Sequence, residues 1–299
     1  MSYQKIKQKI NLTGNISEIV HAIEVTSIMK MKKTQKIALE SRPFAIKFSG
    51  ILARLLRYQE GGGFESDFFK EGKGDRILMA VLTSDRGFCG FYNKSVLKMA
   101  EEKIKEFNGK QEIEVVAIGK KTINFFKRRN AKVIKEFVRL SDFPSIDHIK
   151  PISNFLIEQF ETQQYKKILF FFGHFVSTFI YEPKMVELLP SNLEQLTEEL
   201  EKVTGKAEIG KEKFYDYIFE PSPEIIFKKL IPLLIRFRVY HLVLGAKAAE
   251  YSSRMVAMKR ASENAKDLLR KLILKYNEVR QEQITSELLE ITSAKEVLN

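Results

Sequence analysis

Apolar residues recur near the start of the chain at Ile16, Ile19, Val20, Ile23, Ile28, Met31, Ile37, Phe44, Phe48, Ile51, Leu52 and Leu55, at spacings of mostly three, four or seven. That period puts them on one stripe of an α-helix. Pro43 predicts a kink or an interruption within it. At residue 59 the stripe stops, and the Gly-rich acidic stretch to Asp75 reads as a linker. Beyond Arg76 the pattern changes to short apolar runs at 77–83, 113–118, 133–137, 168–176 and 185–189. Helical segments at 96–107, 122–129, 149–160 and 193–203 alternate with them, which predicts βαβ units and an α/β domain.

The last segment returns to helix. Leu230, Leu234, Phe237, His241, Leu244, Ala248, Tyr251, Met255, Met258, Ser262, Ala265, Leu269, Leu272, Tyr276 and Val279 follow one another at alternating steps of four and three. This is a heptad seam over seven repeats, longer than an ordinary globular helix shows. A helix of about 70 residues is about 100 Å long and has to leave a small domain. Its economical partner is the N-terminal helix, run antiparallel, with His241 and Ser262 setting the register. The expected fold is therefore a Rossmann-like α/β domain, mainly parallel, inserted between two long terminal helices that form an antiparallel coiled coil. The expected boundaries are 1–58 for the first coiled-coil helix, 59–75 for the linker, 76–221 for the α/β domain and 222–299 for the second helix.

Charge adds a second feature. The 50 Lys+Arg and 38 Asp+Glu leave a net +12, of which +8 lies in residues 1–58 and +5 in 222–299, while the middle sits at −1. Two long basic faces fit nucleic acid, an acidic membrane surface or an acidic protein partner. The 44% hydrophobic content excludes a disordered chain. The apolar runs fall far short of the ~20 residues a membrane helix needs, and the Lys-rich start is no signal peptide, so the expectation is an intracellular protein. A single cysteine, Cys89, excludes an intrachain disulfide framework and a multi-thiolate metal site.

Candidate chemistry is sparse. The strand at 77–83 runs into Ser84-Asp85-Arg86-Gly87-Phe88-Cys89-Gly90, which superficially resembles a phosphate-cradling turn but lacks the spacing a dinucleotide site requires. Residues 205–212 approach a P-loop yet end in Glu212, where Mg²⁺ ligation needs Ser or Thr. His21, His148, His174 and His241 show no metal spacing. No catalytic, cofactor-binding or metal-ligating residue is nominated. A nucleotide enzyme with helical arms thus lacks its motifs, and a basic coiled coil binding nucleic acid would show a steep salt dependence.

Three patches together resemble the gamma subunit family of the rotary F-type ATP synthase. Lys30, Met31, Lys32, Lys33 and Gln35 match its N-terminal helix signature. Asp85, Arg86, Gly87, Cys89, Gly90 and Asn93 match its first strand-to-turn segment, with Phe88, Phe91 and Tyr92 departing toward larger residues. Arg254, Met255, Ala257, Met258, Asn264, Ala265, Asn277, Arg280, Gln281, Ile284, Thr285, Glu287 and Glu290 match its C-terminal helix. Gly245 and Ala249 stand where a Glu and a Ser are usual, and Ser293 where a Gly is. Residues 215–223 also resemble the segment that joins the globular domain to that helix.

The resemblance implies a non-catalytic rotor shaft, without cofactors, that couples rotation of a c-subunit ring to the catalytic beta subunits. Its implied partners are the alpha and beta subunits of the hexamer, an epsilon subunit and the c ring, with no nucleic acid. It implies that Lys30, Met31, Lys32 and Lys33 face acidic levers of the beta subunits, that Arg254 shares that neck region against them, that Arg280, Gln281 and Thr285 meet a loop of the empty beta site, and that Tyr217 and Glu220 touch the c ring. It places the protein at the cytoplasmic face of a cell membrane, held there through its complex. The departures leave open a diverged rotary ATPase with a different output.

Overall fold

The computed structural model describes residues 3–57, 66–107, 109, 111–192 and 219–297. The chain divides into two compact units, Ile28–Ser253 and Met1–Ser27 with Arg254–Asn299. Helices α1 (Tyr3–Glu40) and α6 (Pro223–Val297) contribute to both.

Within Ile28–Ser253, five strands form one sheet in the order β3-β2-β1-β4-β5. The strands are β1 (Arg76–Leu82), β2 (Ile113–Ile118), β3 (Val133–Phe137), β4 (Tyr165–Phe175) and β5 (Tyr181–Leu189). The first four are parallel, while β5 pairs antiparallel with β4. Local geometry explains that reversal. A tight turn, with the Val176 amide donating to the Ile180 carbonyl at 3.1 Å, is too short for the crossover a parallel strand needs.

Alternation along β1 sends Leu78, Ala80 and Leu82 to one face, in a core with α2 (Arg42–Arg57), α5 (Ile146–Glu161) and α6. Ile77, Met79 and Val81 point to the other, against α3 (Tyr92–Phe107) and α4 (Lys120–Lys127). Both faces are covered, which is why β1 reads as an unbroken apolar run.

The first predicted helix proves to be two. It breaks at Ser41, and Pro43 then sits in the first turn of α2, where its missing N–H costs no hydrogen bond. Residues 66–75 of the expected linker are tied down: Phe68 is buried and the Gly72 amide donates to Lys166 at 3.1 Å. The predicted helix at 193–203 and the P-loop-like residues 205–212 lie outside the described residues.

In the sheet-bearing unit α1 and α6 run antiparallel, because rising numbers on one chain segment meet falling numbers on the other. The Lys30 ammonium lies 5.8 Å from the centre of the Tyr251 ring, Ser41 Oγ lies 3.0 Å from His241 Nε2, and in α2 the Phe44 ring packs 5.0 Å from Phe237. In the other unit Tyr3 stacks on Tyr276 at 4.7 Å between centroids and their hydroxyls are hydrogen-bonded. Ile6, Met255, Met258, Ser262 and Ala265 are buried there, Leu269, Leu272, Tyr276 and Val279 are half-buried, and residues 280–293 are exposed.

Two expected results follow from α6. Burial against the aromatic rings pushes the His241 imidazole down to about 4 from its ordinary value near 6.5. The neutral ring is therefore the form the fold accepts, so stability is full above about pH 6.5 and falls as pH drops from there toward 4. Urea unfolding at pH 7 and pH 4.5 should show a larger acid loss for the wild-type chain than for His241→Leu. Gly245 sits in the helix interior, where an added Cβ meets nothing within 4 Å. Gly245→Ala should accordingly raise the unfolding free energy by about 1 kcal/mol.

Candidate partner interface

The turn after β1 is a clasp. The Asp85 carboxylate accepts from the Lys120 amide at 2.9 Å, so the N-terminus of α4 is occupied by the protein's own anion where a phosphate would bind. Asn93 accepts from the Ser84 amide at 3.0 Å and donates to Cys89 Sγ at 3.0 Å. Tyr92, buried, donates to the Ala246 carbonyl at 3.0 Å, and its ring lies so close to β4 that a Cβ on Gly173 would stand 2.3 Å from it. The large residue at 92 is thus accommodated by the absence of one at 173. Burial and the nearby Glu250 carboxylate hold the Tyr92 hydroxyl well above its usual range, so it stays protonated.

Ser253 Oγ donates to Cys89 O at 2.8 Å and Ser252 Oγ donates to Thr178 O at 2.7 Å. Adjacent residues of α6 thereby hold the β1 turn and the tip of the β4–β5 hairpin. Phe88, Phe91 and Phe179, on those two loops, are each at least 70% exposed, which is unusual for phenylalanine and marks a surface suited to contact.

The basic residues of α1 divide. The Lys30 ammonium donates to Asp142 at 2.6 Å, and Tyr251 also donates to that carboxylate, at 2.8 Å. Burial raises the Asp142 pKa, but the lysine and the tyrosine outweigh it and the net shift is downward. Met31 is buried, at 2% exposure. Lys32 and Lys33 are exposed, Lys33 lying 4.2 Å from the Phe143 ring centre. In the other unit Arg254 is 7% exposed, whereas Arg280, Gln281 and Thr285 are exposed on α6, with Thr285 bonded back to the Gln281 carbonyl. Glu220 is exposed, and Tyr217 lies outside the described residues.

Sequence reasoning missed Asp142 and the exposed Phe179. Asp142 meets Lys30 across 112 positions, and no periodicity reports such a contact. Among the described residues no group of His, Cys, Asp and Glu could hold a metal, and no helix is long and apolar enough to cross a membrane.

These features define a class first: a helical-stalk subunit made to be gripped by partners. A family model described as ATP synthase matches residues 2–298. The chain is 31% identical to the ATP synthase gamma chain of Desulforamulus reducens, covering 97% of this chain and 96% of that one. To the gamma chain of Roseiflexus sp. it is 32% identical over 98% and 97%, and to that of Pelotomaculum thermopropionicum 29% over 97% and 96%. Its fold is similar to a chain of the Euglena gracilis mitochondrial ATP synthase, solved with OSCP, F1 and c-ring, at TM-score 0.63, 16% identity and 99% and 94% coverage. A chain of the Tetrahymena thermophila central stalk and c-ring gives TM-score 0.57 at 23% identity, over 82% and 99%.

The chain belongs to the ATP synthase gamma chain family. It is a non-catalytic stalk subunit and serves as the rotor shaft, catalysis lying in the beta subunits of the complex. Such a chain is a peripheral subunit. The nucleic-acid reading and the diverged-output reading find no support in these matches.

Proposed function

We propose that residues 1–58 and 222–299 act as an axle inside a hexamer of alpha and beta subunits, with 59–75 connecting to 76–221, a base that stands on the c ring beside epsilon. The complex would sit at the cytoplasmic face of the cell membrane. The observation that carries this reading is the heptad pattern of α6, whose positions are buried or half-buried in each unit, 230–251 in the sheet-bearing one and 255–279 in the other. A paired seam resists bending and twisting better than a lone helix, and torque transmission requires that stiffness.

Lys32 and Lys33 would present an exposed positive face to acidic levers of the beta subunits, while Lys30, tethered to Asp142, would hold α1 in place behind them. Exposed ion pairs contribute only about 0 to 1 kcal/mol each, so this face attracts at many angles without locking. Phe88, Phe91 and Phe179 would add apolar contact on the same unit. Arg254, buried, would act by shaping α6, and Arg280, Gln281 and Thr285, exposed beyond the paired seam, would meet a loop of the empty beta site. Glu220, with Tyr217, would contact the c ring. A rotor with different faces biases three chemically equal sites into different states only through such differential contacts.

Purification of the native complex tests the reading. Alpha and beta subunits should co-elute in threefold excess over this chain; elution of the chain with nucleic acid, or free of both subunits, would refute it.

A further inference from the structure

A cavity of about 360 Å³ opens within the unit Ile28–Ser253, walled by α1, by β4 and β5, and by α6. Its volume lies in the range of small-molecule sites. Phe172, Leu234 and Phe237, all buried, form its depth, whereas His174, half-buried, and Lys184, exposed, stand at its rim.

Two further observations say what chemistry it fits. Its lining contains Lys184 and Arg238 but no Asp or Glu, so the field inside is positive. Arg238 is fixed there, its Nη1 donating to the Leu188 carbonyl at 3.1 Å and to Ser191 Oγ at 3.3 Å. At His174 burial first, and Lys184 second, oppose protonation against the weaker pull of Glu182. The other observation is Gly245, which lines the cavity from the interior of α6. No packing contact requires glycine there, since a Cβ meets nothing within 4 Å, and a larger side chain would project into the open space.

We propose that this cavity binds a small amphipathic anion, a medium-chain carboxylate, with its hydrocarbon tail against Phe172, Leu234 and Phe237 and its head between Lys184 and His174. An apolar depth with a cationic rim distinguishes such a molecule from both a neutral hydrocarbon and a small inorganic anion. The site lies within one unit of this chain and does not depend on the rotor assignment. Because the lining comes from α1, α6 and the sheet, an occupant would brace all three.

Calorimetric titration of the full-length chain with decanoate is the test. Saturable binding of one decanoate per chain is expected. Gly245→Phe, which fills the space, should weaken it at least tenfold. Lys184→Glu, an exposed substitution that leaves the depth intact, should weaken decanoate at least tenfold and leave decanol unchanged. The proposal is overturned by absence of saturable binding to the wild-type chain, by unchanged affinity in either variant, or by equal loss of decanoate and decanol in Lys184→Glu. A neighbouring subunit's side chains filling the cavity in the assembled complex would overturn it as well.

Discussion

Replacing Met258 and Ala265 together by aspartate is expected to abolish ATP-driven ion transport by the assembled complex while the sheet-bearing unit stays folded. Both positions are buried, at 6% and 9% exposure, in the unit that also buries Ile6 completely. A carboxylate there replaces an apolar contact of the seam, and burial of charge in such a place costs roughly 3 kcal/mol or more per site. Two such sites exceed what a short two-helix interface supplies, so the helices should part. Uptake of the coupling ion, proton or sodium, into vesicles and the unfolding of the sheet-bearing unit report the two halves of the result. Wild-type coupling in the double variant would remove the seam from the mechanism.

Phe170→Ala should lower the unfolding free energy of the chain by about 3–5 kcal/mol. Phe170 is fully buried at the middle of β4, paired with Ala80 of β1 on one side and Val186 of β5 on the other, with the Phe172 ring 6.0 Å away. The ring fills the core between the sheet and its covering helices, so its loss leaves a cavity there. Phe88→Ala, at a side chain 72% exposed, should change stability by no more than about 0.5 kcal/mol. Urea unfolding of both variants checks the contrast.

Where a pattern has one cause, the chain could be read ahead of its structure. β2 and β3 fall on the predicted 113–118 and 133–137; β2 is legible because a strand covered on both faces is mostly an apolar run between turn residues, whereas β3 is an edge strand with Lys135 and Glu136 exposed. The seam from Leu230 to Val279 held its period, because a helix pair buries every third or fourth residue and little else. Residues 223–253 are buried more widely, at Ile231, Ile235 and Val239 among others, since α6 there also covers the sheet.

Other features depend on distant residues. The antiparallel β5 follows from a turn length that hydrophobic spacing does not report, whereas the break at Ser41 is legible in Pro43, which disfavours a continuous helix through it. At the candidate interface, two signals compete at Met31: the apolar stripe assigns it to the core and the family signature to a partner, and its side chain is 2% exposed. Lys30 was legible as basic but not as tethered, because Asp142 lies in a loop 112 positions away. Lys32 and Lys33 remain the exposed part of that signature.

A rotor shaft has to turn as an axle. With the hexamer immobilised through its beta subunits and a bead attached through Lys105→Cys, an exposed site on α3, ATP hydrolysis should drive the bead around in one direction. A bead that stays still, or only jitters, while the same complexes hydrolyse ATP would contradict it.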